Sequence, residues 1–245
     1  MASFSTTATI IEPEISRDDH GTPPPIRDGG DYGRPGSPDY GTRLRRARLG
    51  LFVALIPVVM LFVSFTSAYV VRQGLPTLDP RTNNLTRDWI PVALPRLLLL
   101  NTFVLLVSSV SMELARRQIR ARATMEMAST GPNVSIGQQI RMPWLAMTLV
   151  LGLAFLFGQW TAWKQLAANG FYVSTTPSSS FIYLLTGAHG AHLLGGIVAL
   201  FIAGVASLLH RSLKTRSIVV DVTAWYWHFM AVLWVYIFWL MKVAR

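Results

Sequence analysis

The sequence predicts an all-α integral membrane protein with five transmembrane helices, a cytoplasmic N-terminus, an external C-terminus and an extended N-terminal tail. Three observations carry this reading. Hydrophobic residues make up 51% of the chain and charged residues 14%, with mean hydropathy +0.40, whereas a soluble domain is about 25% charged. The apolar residues gather in five runs, each long enough to cross a hydrocarbon core of about 30 Å. The basic residues cluster between those runs, mainly on one side of the inferred membrane.

The runs lie near Leu49–Val71, Leu94–Ala115, Met142–Leu166, Phe181–Leu209 and Val222–Val243. Pro57 falls inside the first and is expected to kink it. Pro143 opens the third, at a first-turn position where a missing N–H costs nothing. Trp225, Tyr226 and Trp227 are expected to mark the cytoplasmic edge of the fifth span. Trp239 is expected at its outer edge, and Trp160 with Trp163 at the outer edge of the third. Small hydroxyls at Ser64, Thr66, Ser67, Ser108, Ser109 and Ser111 favour helix–helix contacts.

Orientation follows from the basic residues. Arg43, Arg45, Arg46 and Arg48 precede the first span. Arg116, Arg117, Arg120, Arg122 and Arg141 separate the second from the third, and Arg211, Lys214 and Arg216 the fourth from the fifth. The opposite loops are poorer or mixed: Arg72, Arg81, Arg87 and Arg96 are tempered by Asp79 and Asp88, and Lys164 stands alone in the other. These groups place the N-terminus in the cytoplasm. Residues 1–42 form a tail with Pro23-Pro24-Pro25, Gly29-Gly30 and a repeated Asp-Tyr-Gly at Asp31 and Asp39. Too little apolar surface is present there to offset the entropy of ordering. The tail is expected to be disordered alone, or to lie on a neighbouring subunit through Tyr32 and Tyr40. Residues 43–245 form the membrane domain. Met1–Glu12 lacks a basic start followed by an apolar core, so no signal peptide is expected.

Composition excludes several functions. The chain has no cysteine, hence no disulfide, thiolate metal site or cysteine nucleophile. A net charge of +10 is consistent with nucleic-acid binding. The arginines sit at helix ends rather than on a soluble face, so it reads as a topology signal. No Gly-x-Ser-x-Gly elbow, Walker loop or His-Glu-x-x-His motif occurs. No carboxylate lies at mid-membrane, which disfavours a pump or ion-coupled transporter. Five scattered histidines, including His20 and His210, are too few for a membrane di-iron hydroxylase or desaturase.

The most informative segment is Ser180–Gly196, which carries His189 and His192 in an apolar run. Three residues apart, they share one helix face, and an ionisable group in a span is a functional hypothesis by default. His189 should lie roughly 12 Å below the outer edge of its span and His192 roughly 17 Å. His228 sits near the cytoplasmic start of the fifth span, so the three should converge poorly on a metal or haem. Each is expected to hydrogen-bond across helices instead. Gln159, at a depth close to that of His189, is the expected partner, with Ser180 or Thr186 nearby. Gly187, Ala191 and Gly195 repeat every four residues and form a stripe suited to close helix packing.

These residues resemble a known family. Phe-x-Tyr-Leu-Leu-Thr-Gly-x-His-Gly-x-His-x-Leu-x-Gly within Ser180–Gly196 is similar to the signature helix of subunit III of the haem–copper oxidases. Tyr226-Trp-His-Phe through Trp234, Leu94-Pro through Asn101-Thr102 with Ser108-Ser109, and Phe157-Gly-Gln-Trp160 with Trp163 and Gly170 resemble further segments. Leu49-Gly50 and Ala68-Tyr69 bracket the first helix, and the order holds over residues 44–245. The resemblance implies a subunit with no redox centre of its own and no catalytic, cofactor or metal site. It would pack on subunit I, whose haems and copper reduce dioxygen to water while protons are pumped. It would also support proton uptake and protect the enzyme from turnover inactivation. Longer members arrange seven helices around a lipid-filled cleft; five spans correspond to the short form. Implied partners are subunit I directly, subunit II and further subunits, and structural phospholipid, in a bacterial plasma membrane. A quinol oxidase and an accessory protein of nitric oxide reductase share the resemblance. A stand-alone transporter or a membrane metalloenzyme is the rival class. Many members carry acids where Val58, Ala162 and Ala231 stand here, which leaves Glu113 and Asp221, at the cytoplasmic edge, as the remaining candidates for surface proton collection.

Overall fold

The computed structural model of the protein describes residues 40–78, 85–86, 89, 95–128, 143–208 and 213–243. The tail to residue 39, with Tyr32, lies outside the described residues. So do Arg81, Arg87, Asp79, Asp88, Arg141, Arg211, His20 and His210. Among the described residues five helices are long and apolar enough to cross a membrane. They are α1 (Tyr40–Gly74), α2 (Leu97–Ala128), α3 (Pro143–Ala168), α4 (Pro177–Leu208) and α5 (Leu213–Val243).

Each expected apolar run falls mostly within one of these helices, with Leu94, Met142 and Leu209 outside the described residues, and several helices outlast their runs. The α2 helix continues past Ala115 because charged residues replace apolar ones without breaking helix propensity. Glu113 there bonds Arg116 and Arg117, three and four residues on, the spacing at which helical side chains meet. The α5 helix begins well before Val222, at Leu213. Tyr40, read as part of the tail, is the first residue of α1. Its hydroxyl lies 3.0 Å from Ser217 Oγ on α5 rather than being free to anchor the tail elsewhere. Pro57 sits inside a continuous α1.

Helix ends are fixed by local chemistry. Pro143 and Pro177 open α3 and α4, where the ring's missing N–H is harmless. Thr176 caps α4 reciprocally: Ser179 N donates to Thr176 Oγ1, and Thr176 N to Ser179 Oγ, both at 3.2 Å. The α3 helix stops at Gly170, whose φ of 84° only glycine adopts without strain. Phe171 N then donates to Leu166 O and Gly170 N to Ala167 O, both at 3.0 Å, which satisfies the last carbonyls of the helix. Between α1 and α2 lies an antiparallel pair, β1 (Thr77–Leu78) and β2 (Leu85–Thr86), with Thr77 opposite Thr86. Trp89 follows it. The Trp89 ring stands edge-on to Tyr69 at 5.1 Å, and Tyr69 meets Phe181 at 5.7 Å, joining the ends of α1 and α4.

The helices form a ring of four with one appended. The α2 helix runs along α3, α3 meets α4, α4 meets α5, and α5 closes on α2. The α1 helix touches α4 and α5 and, among the described residues, neither α2 nor α3. The core lies inside the ring, around Phe155, Leu185, Leu193, Met230, Trp234 and Ile237.

One aromatic expectation fails. Trp227 is not at an interface belt: it is fully buried and its Nε1 donates to Ser108 Oγ on α2 at 3.1 Å. Its neighbour Tyr226 is half-buried against α4, while Trp225 remains 41% exposed. Three consecutive positions on a helix span about 200° of arc, so they cannot share one membrane-edge face.

Candidate functional site

Among the described residues two regions bear on function. The first is the interior around His189. Its ring is fully buried, 5.0 Å from the Trp234 ring on α5 and 5.9 Å from Phe155 on α3. Neither ring nitrogen has a hydrogen-bond partner among the described residues. The contact is aromatic, in place of the hydrogen bond expected from the sequence. His192 points elsewhere: its ring meets Phe62 of α1 at 5.8 Å, and its Nδ1 lies 2.7 Å from Ala188 O in its own helix. Three residues advance a helix by 300°, and that 60° divergence is enough to send the two rings to different neighbours. Tyr226 on α5 donates to the His192 carbonyl at 2.8 Å, which is the interhelical bond at this level.

Gln159 is buried on α3, and its Oε1 has no partner among the described residues. It stands four residues after Phe155 and four before Trp163, whose Nε1 donates to Thr186 on α4 at 3.1 Å. Gln159 therefore shares the stripe of α3 that meets α4. Ser180 is engaged in the loop before its own helix, on Thr176 O. The hydroxyls of α2 serve as helix ties: Ser108 Oγ donates to Thr148 O at 3.2 Å, and Ser111 Oγ lies 2.8 Å from Thr148 Oγ1.

The second place is an ion cluster that the sequence did not reveal. Asp221 of α5 is only 1% exposed. Arg48 of α1 donates to it through Nε at 2.8 Å, Arg120 of α2 donates through Nη2, and Arg116 Nη1 stands 3.7 Å away. Glu113 of α2 takes Arg116 and Arg117 at 2.8 and 2.9 Å. Four guanidinium groups thus meet two carboxylates. Trp225 lies across the cluster, with Phe52 of α1 at 6.0 Å and the Arg116 guanidinium at 5.8 Å from its ring. His228, one turn deeper, has Nδ1 2.6 Å from Ser109 Oγ and Nε2 3.4 Å from Glu113 Oε2, so it lies against α2. The Asp221 carboxylate is thus enclosed by arginines rather than open at the surface. The signal available in the sequence was a lone acid at the head of an apolar run, facing three arginine groups on the same side.

The stripe of Gly187, Ala191 and Gly195 is loosely covered within the chain. A methyl on Gly187 would meet nothing closer than Trp163 at 3.8 Å, one on Gly195 would find Tyr226 at 4.0 Å, and Ala191 is exposed. The tight glycines are others. A methyl on Gly158 would collide with the Asn101 amide, and one on Gly152 would lie 2.8 Å from Trp227. Among the described residues no three His, Cys, Asp or Glu side chains converge as metal ligands.

Comparison with known proteins bears on the whole membrane domain. The family model "Cytochrome c oxidase subunit III" matches residues 42–243. The "Probable cytochrome c oxidase subunit 3" of Mycobacterium tuberculosis H37Rv is 30% identical over 95 residues, 39% of this chain and 47% of that protein. The "Cytochrome c oxidase subunit 3" of Triticum aestivum is 28% identical over 199 residues, covering 78% of this chain and 66% of that protein. That of Anopheles gambiae is 28% identical over 196 residues with the same coverage. The match spans about half the length of the mycobacterial relatives and just under two thirds of the other two.

Proposed function

The chain belongs to the cytochrome c oxidase subunit III family, and on that premise we propose that it is a non-catalytic subunit of a respiratory terminal oxidase. In this reading it packs on subunit I, which holds the haem and copper, and it stabilises that subunit while the complex reduces dioxygen to water. Subunit II and structural phospholipid complete its surroundings in a bacterial plasma membrane, with the N-terminus on the cytoplasmic side. The observation that carries the proposal is the family match over nearly all of the membrane domain, residues 42–243. The interior supports it: His189 is held among aromatic rings, and the two acids of the charged end are engaged by arginines. Support for proton uptake in this chain rests on shaping subunit I, since the acids common in the family are replaced at Val58, Ala162 and Ala231.

Docking on subunit I is assigned to the open stripe of α4, Gly187, Ala191 and Gly195, because small residues let two helices approach closely in lipid. His189, His192, Gln159 and His228 hold the helices that present that stripe. The test is purification through a tag on this chain in mild detergent. Co-purification of haem absorbance with a large multi-span subunit is expected, and oxidation of reduced cytochrome c rather than quinol identifies the electron donor. Absence of haem from well-expressed, intact membranes overturns the reading. Gly187→Leu and His189→Ala are expected to lower recovery of subunit I while leaving the spectra of the remaining haems unchanged. Full recovery with Gly187→Leu would move the docking face off α4.

A further inference from the structure

The α5 helix carries a second, partly open face, separate from the α4 stripe. Trp225, His228, Val232, Val235 and Trp239 follow one another at spacings of three, four, three and four residues. That is the spacing of a seam into which a neighbouring helix packs. The seam is open: Trp225 is 41% exposed, Val232 69%, Val235 40% and Trp239 57%. Its walls are α1, through Phe52 on Trp225 and Thr66 bonded to Tyr236, and α2, through Ser109 on His228. Among the described residues the backbones of α1 and α2 stay apart, and their arginines Arg48 and Arg120 meet only through Asp221 of α5. The floor between them is therefore α5 itself.

We propose that this groove receives a transmembrane helix of a partner polypeptide whose end, level with Asp221, carries one or more carboxylates. The charged end of the groove holds the guanidinium groups of Arg48, Arg116, Arg117 and Arg120 against the carboxylates of Asp221 and Glu113. Among the described side chains of this cluster the guanidinium groups outnumber the carboxylates by two, and Arg117 on the rim has a side chain 75% exposed. Charges of that sign next to an apolar seam are matched by an acidic helix end. Length separates a helix from a lipid. From Trp225 to Trp239 the seam extends about 21 Å, whereas one leaflet of a 30 Å core is about 15 Å deep. A single acyl chain leaves the far end of the seam uncovered, and a helix covers it all. Exposed tryptophan with arginine at the rim is also the side-chain mix that anchors protein partners. The groove stands on this chain's geometry and does not depend on the oxidase reading.

The experiment places a photo-reactive benzoylphenylalanine at Val232, at Trp239 and, outside both the groove and the α4 stripe, at the exposed Val150 on α3, in native membranes containing the full complex. The cross-linked peptide is mapped by mass spectrometry. One polypeptide is expected from both groove positions and not from Val150, through an apolar span with Asp or Glu at the end level with Asp221. Arg117→Glu is expected to cut that cross-link at least tenfold, and replacing the partner's acid with Lys to restore it. Adducts with phospholipid alone, a captured span without an acid at that end, or a yield unchanged by Arg117→Glu each overturn the proposal.

Discussion

Asp221 is the more deeply buried of the two carboxylates in the ion cluster, with a side chain 1% exposed compared with 23% for Glu113. A carboxylate taken out of water is stable only when its partners replace the lost hydration, and here Arg48, Arg116 and Arg120 do so from two other helices. Removing one member of a buried ion cluster costs about 3–5 kcal/mol, because the remaining charges stay desolvated. Asp221→Asn is therefore expected to lower stability by about 3 kcal/mol or more, read as the unfolding midpoint of the purified protein in detergent. Glu113→Gln, at a site 23% exposed, is expected to cost less. Equal effects would mean that Asp221 is hydrated after all. His189 gives the opposite case. Its ring nitrogens have no partner among the described residues, so a ring without nitrogens loses little. His189→Phe is expected to stay within about 1.5 kcal/mol of the parent, while His189→Ala, which leaves a hole between Phe155 and Trp234, costs about 2 kcal/mol or more. A Phe variant as damaged as the Ala variant would show that the nitrogens are bonded.

At the scale of the element, the glycines divide into two kinds. Gly158 and Gly152 let α3 lie against α2 and α5, so that Asn101 can reach Phe155 O at 3.3 Å and Trp227 can enter the ring. Gly158→Ala is expected to cost about 1–3 kcal/mol through displacement of Asn101. Gly187→Ala, with no close neighbour in this chain, is expected to be neutral or slightly stabilising in the isolated chain, since alanine is the better helix former by about 1 kcal/mol. Thermal melts of the two variants side by side decide the matter. The five helices themselves were legible because an apolar run in a membrane protein is a one-dimensional signal. The partners of those helices were not. Four-residue spacing drew attention to Gly187, Ala191 and Gly195, yet the closest approaches occur at Gly152 and Gly158, which carry no such repeat. Asp221 lies 173 residues from Arg48 and 101 from Arg120, a distance over which a single sequence holds no pairing information. The motif around His189 identified the family, but not the neighbours of its ring: a histidine in an apolar run invites a hydrogen-bonding partner, and among the described residues Phe155 and Trp234 stand beside it.

At the scale of the whole molecule, the described residues form a closed ring of four helices with α1 leaning on α4 and α5. Only 11% of the apolar window of α1 is buried, compared with 44% for α5. Local stability follows buried contact, so α1 should separate first. The chain has no native cysteine, which makes the order measurable. A cysteine replacing Phe62 on α1 is expected to react with a thiol reagent at a lower concentration of denaturing detergent than one replacing Leu105 on α2. Both sites are almost fully buried at the start, at 2% and 1% exposure. Simultaneous reaction would mean that the five helices open as one unit.

The placement of α1 also sets a timetable for biosynthesis. Of the five described helices, the earliest in the chain, α1, meets among the described residues only the two latest. Its resting place does not exist until α4 emerges, about a hundred residues after Gly74, and at about 5–20 residues per second that interval lasts roughly five to twenty seconds. Throughout it, Arg48 awaits a carboxylate that arrives only with α5. A nascent chain halted before Pro177 would hold α2 and α3 as a pair while leaving α1 unclaimed in the bilayer, free to be recognised by insertion factors or membrane proteases.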